Sequence, residues 1–268
     1  MAERVVAGET LLEIVDVHKT FGGVRAVSGC SFALRRGSIT GLIGPNGAGK
    51  TTLFNMIAGS FAPSSGTIRF QGEAIEGMPA HRLFHKGIVR TFQIPHEFGR
   101  MTCLENLMLV PPGQRGEGLV GSWLGWGRVV EEETRIKDRA LEVLDFLQMS
   151  HLRDTLASRV SGGQKKLLEI GRTMMTDATL VLLDEPGAGV NRTLLGDIVR
   201  TIRSLNEERG YTFCIIEHDM GFIAELCDPV VCMAEGRVLT IGTMAEVRRD
   251  ERVLEAYLGH SAVAGDAA

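Results

Sequence analysis

Nine residues constrain this chain more than any other feature: Gly44-Pro45-Asn46-Gly47-Ala48-Gly49-Lys50-Thr51-Thr52. They match G-x-x-x-x-G-K-[ST] and follow an apolar β-type run, Ile39–Ile43. An amphipathic helical run, Thr51–Ala58, begins directly after them. Strand, glycine-rich loop and helix in that order is the context this pattern requires. Glycines let the backbone wrap an anion with successive N–H groups turned inward. The helix N-terminus adds its partial positive charge. Lys50 can then reach the β- and γ-phosphates of a nucleotide, and the Thr51 hydroxyl can ligate Mg²⁺, a hard cation that prefers oxygen.

The rest of the chain agrees with an α/β fold. Apolar β-type segments lie at Leu11–Val17, Ser38–Ile43, Gly66–Phe70, Gly87–Phe92, Leu180–Asp184, Tyr211–Glu217, Pro229–Ala234 and Arg237–Ile241. Helical patterns cover Lys50–Ala58, Glu131–Gln148, Gln164–Met175, Thr193–Glu208 and Asp219–Leu226. Short buried strands alternating with helices favour a parallel-sheet core. The early strands, up to about Phe70, read as an antiparallel edge because their connections are short. Residues 111–128 break the rhythm with Pro111-Pro112-Gly113 and both tryptophans, Trp123 and Trp126. That stretch reads as a surface loop, or as a contact surface for a partner. Residues 94–176 form a mostly helical insert, with 1–93 and 177–260 as the α/β core and 261–268 as a frayed tail.

Composition narrows the class. The 268 residues can bury a large core without disulfides or a structural metal. A net charge of −4 gives no bulk attraction for nucleic acid. Five scattered cysteines without C-x-x-C form neither a disulfide framework nor a zinc site, and point to a reducing compartment. Met1–Glu9 carries no secretory-signal pattern, and no run of 18 apolar residues is present to span a membrane.

Two further motifs carry chemistry. Leu180-Val181-Leu182-Leu183-Asp184-Glu185 is an apolar strand ending in two carboxylates. A buried parallel strand delivers such residues to the ligand edge of its sheet. Asp184 there would hold Mg²⁺, and Glu185 would orient or deprotonate an attacking water. Ser161-Gly162-Gly163-Gln164 opens a helix 23 residues before Asp184, with Ser161 as N-cap and the glycine pair exposing backbone N–H groups.

This order of motifs, completed by His218 at 34 residues beyond Asp184, resembles the ATP-binding subunits of ABC transporters. The motifs run from Phe21 to His218, so the resemblance covers nearly the whole chain. It implies a P-loop NTPase core of the ABC ATPase type, with an antiparallel β edge and an inserted helical subdomain. By position, Phe21 matches the aromatic residue that stacks on adenine, with a core aromatic as the plain alternative. Gln93, in Arg90-Thr91-Phe92-Gln93, matches the glutamine that contacts Mg²⁺ and the water. Ser161, Gly162, Gly163 and Gln164 match the signature that meets the γ-phosphate bound to the opposite subunit. His218 matches the switch histidine that hydrogen-bonds the γ-phosphate. Val160 stands where the family usually has Leu, and Asn191 stands where it often has Asp, keeping hydrogen-bonding capacity without the charge.

The resemblance implies a head-to-tail dimer with a second ATP-binding subunit, identical or similar, closing on two ATP molecules. It implies membrane-spanning partner subunits at the cytoplasmic face of the membrane, and indirectly a solute-binding protein. Within the family the chain looks most like an ATPase of branched-chain amino-acid importers, through segments such as Val89–Gln93, Ala188–Asn191, Ile216–Met220 and Glu255–Gly259. Urea or short-amide importers, lipopolysaccharide-type systems and soluble ABC ATPases are the alternatives. Phe98, Met101 and Leu104 are expected either to line a groove for the membrane subunit or to pack internally.

Overall fold

The computed structural model describes residues 8–91, 97–112, 114 and 126–257. In chain order the strands are β1 (Thr10–Phe21), β2 (Val24–Arg35), β3 (Ile39–Ile43), β4 (Ser65–Phe70), β5 (Glu73–Ala74), β6 (Ile88–Arg90), β7 (Leu180–Asp184), β8 (Thr212–Ile216), β9 (Val230–Ala234) and β10 (Arg237–Gly242). The helices are α1 (Lys50–Ile57), α2 (Ala80–His85), α3 (Cys103–Met108), α4 (Trp126–Phe146), α5 (Gly162–Met174), α6 (Arg192–Arg209), α7 (Met220–Leu226) and α8 (Met244–Val247).

The chain divides into two compact units. The first comprises Met1–Arg90, Thr179–Gly187 and Ile202–Ala268. It holds two sheets, in the orders β2-β1-β4-β5 and β10-β9-β3-β8-β7-β6. The four-stranded sheet is antiparallel throughout. In the six-stranded sheet β3, β6, β7, β8 and β9 run parallel and only β10 is reversed. Burial separates the two kinds of strand. Every residue of β3, β7, β8 and β9 is buried, as expected of parallel strands covered on both faces. β1 and β2 mix buried and exposed positions, as strands with one wet face do. One apolar cluster joins the sheets through α1, whose Leu53, Phe54, Met56 and Ile57 pack with Leu12, Ile68, Leu42 and Val231.

Two sequence expectations change here. β3 does not belong to the antiparallel edge: it lies inside the parallel sheet between β9 and β8, which its five buried residues demand. β2 escapes the sequence pattern because Ala26, Ser28, Gly29 and Ser31 dilute its alternation, yet it pairs with β1 along its length.

The second unit comprises Thr91–Ala178 and Ala188–Thr201. Its core is α-helical. Leu107 of α3, Ala140, Val143, Leu144 and Leu147 from the α4 region, and Leu168 and Ile170 of α5 are all buried. α4 begins at Trp126, five residues before the expected start, so the expected loop overlaps a helix; 113 and 115–125 lie outside the described residues. Arg139 on α4 donates to Met174 O (2.7 Å) and Thr176 O (3.1 Å), satisfying carbonyls at the end of α5.

Candidate active site

The phosphate-type loop sits between β3 and α1. Gly44 follows the strand at φ +149°, and a Cβ there would lie 2.0 Å from Met233 O, so backbone approach alone dictates glycine. Gly49 N-caps α1 in the left-handed region, with no side-chain cap to occupy the first N–H groups. Lys50 is buried, at 6% exposure. Its Nζ donates to Gly44 O (2.7 Å) and Pro45 O (3.0 Å), which curls the ammonium over the loop. Burial lowers the Lys50 pKa from its ordinary value, while Glu185, Cys232 and Asp184 pull it back up. An anion placed in the loop would meet Lys50 and the backbone N–H groups at the start of α1.

Asp184 ends β7, two strands from β3 in the sheet, and Glu185 follows it. Asp184 is buried, and its Oδ2 accepts from Arg90 Nη2 at 2.9 Å. Arg90 also donates to Asn55 Oδ1 on α1, so one guanidinium ties β6, β7 and α1 together. Glu185 adopts φ +50°, a left-handed conformation that costs about 1–3 kcal/mol for such a residue. Its backbone N donates to Ile216 O at 2.9 Å. Its Oε1 lies 3.0 Å from Nε2 of His218, which follows β8. Glu185 is one-fifth exposed and His218 nearly half, so the pair faces a place that water can reach. A carboxylate and an imidazole in contact can hold and relay a proton.

Thr51 and Asp184 offer oxygen donors that suit Mg²⁺, which takes one or two protein ligands and completes its shell with phosphate and water. Among the described residues no group of three or more His, Cys, Asp and Glu is placed to hold a metal by itself. Gln93, the third residue expected at the metal, lies outside the described residues.

Phe21 ends β1 and is 47% exposed, so it is not a core aromatic. Its ring meets Phe61 edge-on at 5.3 Å, and Lys19 Nζ lies within 5.1 Å of both ring centroids. In the second unit Ser161 is the N-cap of α5. Its Oγ accepts from Gln164 N (3.3 Å), and Gln164 Oε1 accepts from Ser161 N (2.9 Å), a complete capping box. Gly162 has open space around it, whereas a Cβ on Gly163 would lie 2.5 Å from Leu194 Cδ1. Asn191 caps the next helix, its Oδ1 accepting from Leu194 N at 3.0 Å. Of the expected groove residues Phe98 is 51% exposed, while Met101 and Leu104 are half-buried.

The ABC transporter family matches residues 27–188, well over half of the chain. The chain belongs to this family. Residues 237–263 of the cassette match a second family, described as branched-chain amino acid ATP-binding cassette transporter. A probable branched-chain amino acid transport ATP-binding protein of Archaeoglobus fulgidus is 39% identical over 93% of the cassette and 95% of its own length. A high-affinity branched-chain amino acid transport ATP-binding protein of Pseudomonas aeruginosa is 34% identical over 94% and 98%. Among solved structures, a nucleotide-free ATP-binding cassette from an ABC transporter superposes with a TM-score of 0.80 at 36% identity, covering 93% of this chain and 99% of that one. Another, in its ADP conformation, gives 0.79 at 34% identity, over 94% and 99%. The cassette is thus an ATPase subunit that binds nucleotide.

Three site residues of the cassette are not foreseeable from its motifs. Arg90 meets Asp184, 94 positions away in the chain, only through tertiary structure, and Asn55 meets Arg90 in the same way. Glu217 is 4% exposed and accepts main-chain N–H groups from both Gly187 and His218. A charged residue at the end of the apolar run Cys214–Ile216 is the one sequence signal that points to it.

Proposed function

We propose that this cassette hydrolyses ATP to drive an importer of branched-chain amino acids. It works at the cytoplasmic face of a membrane on membrane-spanning subunits, paired head to tail with a second ATP-binding subunit, and serves a solute-binding protein indirectly. The observation that carries this is likeness over nearly the full chain, at 34–39% identity, to proteins named for that transport. No described helix is long and apolar enough to cross a membrane.

The residues divide the work as follows. The loop Gly44–Thr52 binds the phosphates, and Lys50 releases its loop carbonyls to reach the β- and γ-phosphates. Phe21 offers an exposed ring face to adenine. Thr51, Asp184 and Gln93 hold Mg²⁺, which when bound neutralises phosphate charge. Glu185 orients the attacking water and takes its proton; His218 steadies Glu185 and donates toward the γ-phosphate. Ser161, Gly162, Gly163 and Gln164 present a helix N-terminus to the nucleotide of the partner subunit.

The test is affinity purification of tagged Glu185→Gln protein from native membranes with MgATP. We expect bound nucleotide, hydrolysis about 100-fold or more below the parent, and co-purification of polytopic membrane proteins with a second ATPase. Deletion of the gene should abolish uptake of labelled leucine, isoleucine and valine. Normal turnover by Glu185→Gln removes the role given to Glu185, and unchanged uptake removes the substrate.

A further inference from the structure

We infer that Glu217 is a positioning residue for hydrolysis: one buried carboxylate ties the chain leaving Glu185 to the loop that presents His218. Its Oε1 accepts from Gly187 N at 2.6 Å. Its Oε2 accepts from His218 N at 2.8 Å and from Asp219 N at 3.4 Å. Each oxygen therefore serves one segment, and the carboxylate spans the two. The inference rests on the proposed roles of Glu185 and His218.

The surroundings make this arrangement purposeful. Glu217 is 4% exposed, and among the described residues it makes no ion pair. A buried carboxylate without a cation is costly unless several N–H groups surround it. An aliphatic side chain would suit the apolar end of β8 and would leave Gly187 N–H without this acceptor. Helix initiation does not account for the carboxylate. Asp219 caps α7 by itself, accepting from Gly221 N (2.7 Å) and Phe222 N (3.1 Å). What Glu217 adds is a tie across to Gly187.

That tie acts where the geometry is strained. Glu185 is left-handed, at φ +50°, and two residues later Gly187 is held by Glu217. Upstream, Glu185 N is held by Ile216 O. The Glu185 turn is thus pinned on both sides to consecutive residues at the end of β8, and its side chain meets His218 at 3.0 Å. Without the carboxylate, the segment after Glu185 and the loop bearing His218 lose their common anchor. A shift of about 1 Å at such a pair can cost about 100-fold in rate.

The experiment uses full-length protein with MgATP: the parent, Glu185→Gln, Glu217→Gln and the double variant. Steady-state and single-turnover hydrolysis, affinity for a fluorescent ATP analogue and the thermal midpoint are read for each. The amide of Glu217→Gln keeps one acceptor oxygen, so one of the two segments loses its acceptor. We expect kcat to fall about 10- to 100-fold, with KM, analogue affinity and melting little changed. In the Glu185→Gln background the same change should add little, because a residue acting through Glu185 has nothing left to position. Parental kcat in folded Glu217→Gln overturns the inference, and so does an equal further loss in the double variant. If Glu217→Gln does not fold, Glu217→Asp, which keeps the charge and shortens the reach, is read in its place by the same criteria. Failure of both to fold makes Glu217 a folding residue and overturns the inference too. Parental turnover by Glu185→Gln instead strikes the functional reading beneath it, so the two failures are distinct.

Discussion

Arg90→Ala should destabilise the protein more than loss of any exposed ion pair. Arg90 Nη2 donates to Asp184 Oδ2 at 2.9 Å, and the side chains are only 11% and 8% exposed. Truncation leaves a carboxylate buried without its cation, which costs about 3–5 kcal/mol. The lost hydrogen bond to Asn55 adds about 1 kcal/mol. For a chain of this length each kcal/mol moves the melting midpoint by about 2–4 °C, so the fall should be about 10 °C or more. The exposed pair Arg153–Asp154, at 58% and 79%, serves as the control, because solvent screens it and Arg153→Ala should barely move the midpoint. Differential scanning calorimetry of the purified protein reads both. A second pair of variants isolates the cause. Arg90→Met alone strands the Asp184 charge, whereas Arg90→Met with Asp184→Asn removes both charges and should regain several degrees. A midpoint for Arg90→Ala within the range of the control, or a double variant less stable than Arg90→Met, would refute the reasoning.

Lys50→Ala should weaken ATP binding about 100-fold or more, since it removes the one buried cation placed on the loop; isothermal titration calorimetry checks this, and parental affinity would count against the loop. The five cysteines should be silent to a disulfide reagent at pH 8 and all react in guanidinium chloride. Burial pushes Cys30 and Cys227 up to about 12 and Cys232 to about 11, and raises Cys103 and Cys214 as well. A raised thiol pKa keeps the reactive thiolate scarce below that pKa, so fast labelling of native protein would contradict the burial.

The sheet and its site differ in how far the sequence shows them. β7, β8 and β9 are legible because uninterrupted apolar runs mark strands buried on both faces. β2 is not, since its small residues owe their strand conformation to pairing with β1. α3 is missed for another reason: Thr102 and Glu105 form a capping box, but six residues are too few to show helical periodicity. At the candidate site, the residues with motif spacing are legible one by one: Lys50, Asp184, Glu185 and His218. Their neighbours in the fold are not. Arg90, Asn55 and Glu217 make side-chain contacts between elements far apart in the chain, and no local pattern encodes those.

The sheet register explains why those neighbours matter. β3, β8, β7 and β6 are neighbours in that order, and their parallel carboxyl ends carry the glycine-rich loop, His218, Asp184 with Glu185, and Arg90. Asp184 pairs with Ile216, and Leu42 pairs with Ile216 from the other side. The apolar ladder therefore fixes, to a single residue, where each loop leaves the sheet. A slip of one residue would turn every buried side chain of a strand to its opposite face, which a sheet covered on both sides resists. Beyond that edge the ladder no longer holds the chain, and within two residues it must place charged groups to a fraction of an ångström. Buried polar ties take over at that level: Arg90 on Asp184, Ile216 O on Glu185 N, Glu217 on Gly187 and His218. Hydrophobic burial thus sets the position of the site, and a few buried charges set its geometry. Substitutions in the strands, and of Arg90 whose loss strands a buried carboxylate, should accordingly act on folding, whereas substitution of Glu217 should act on turnover.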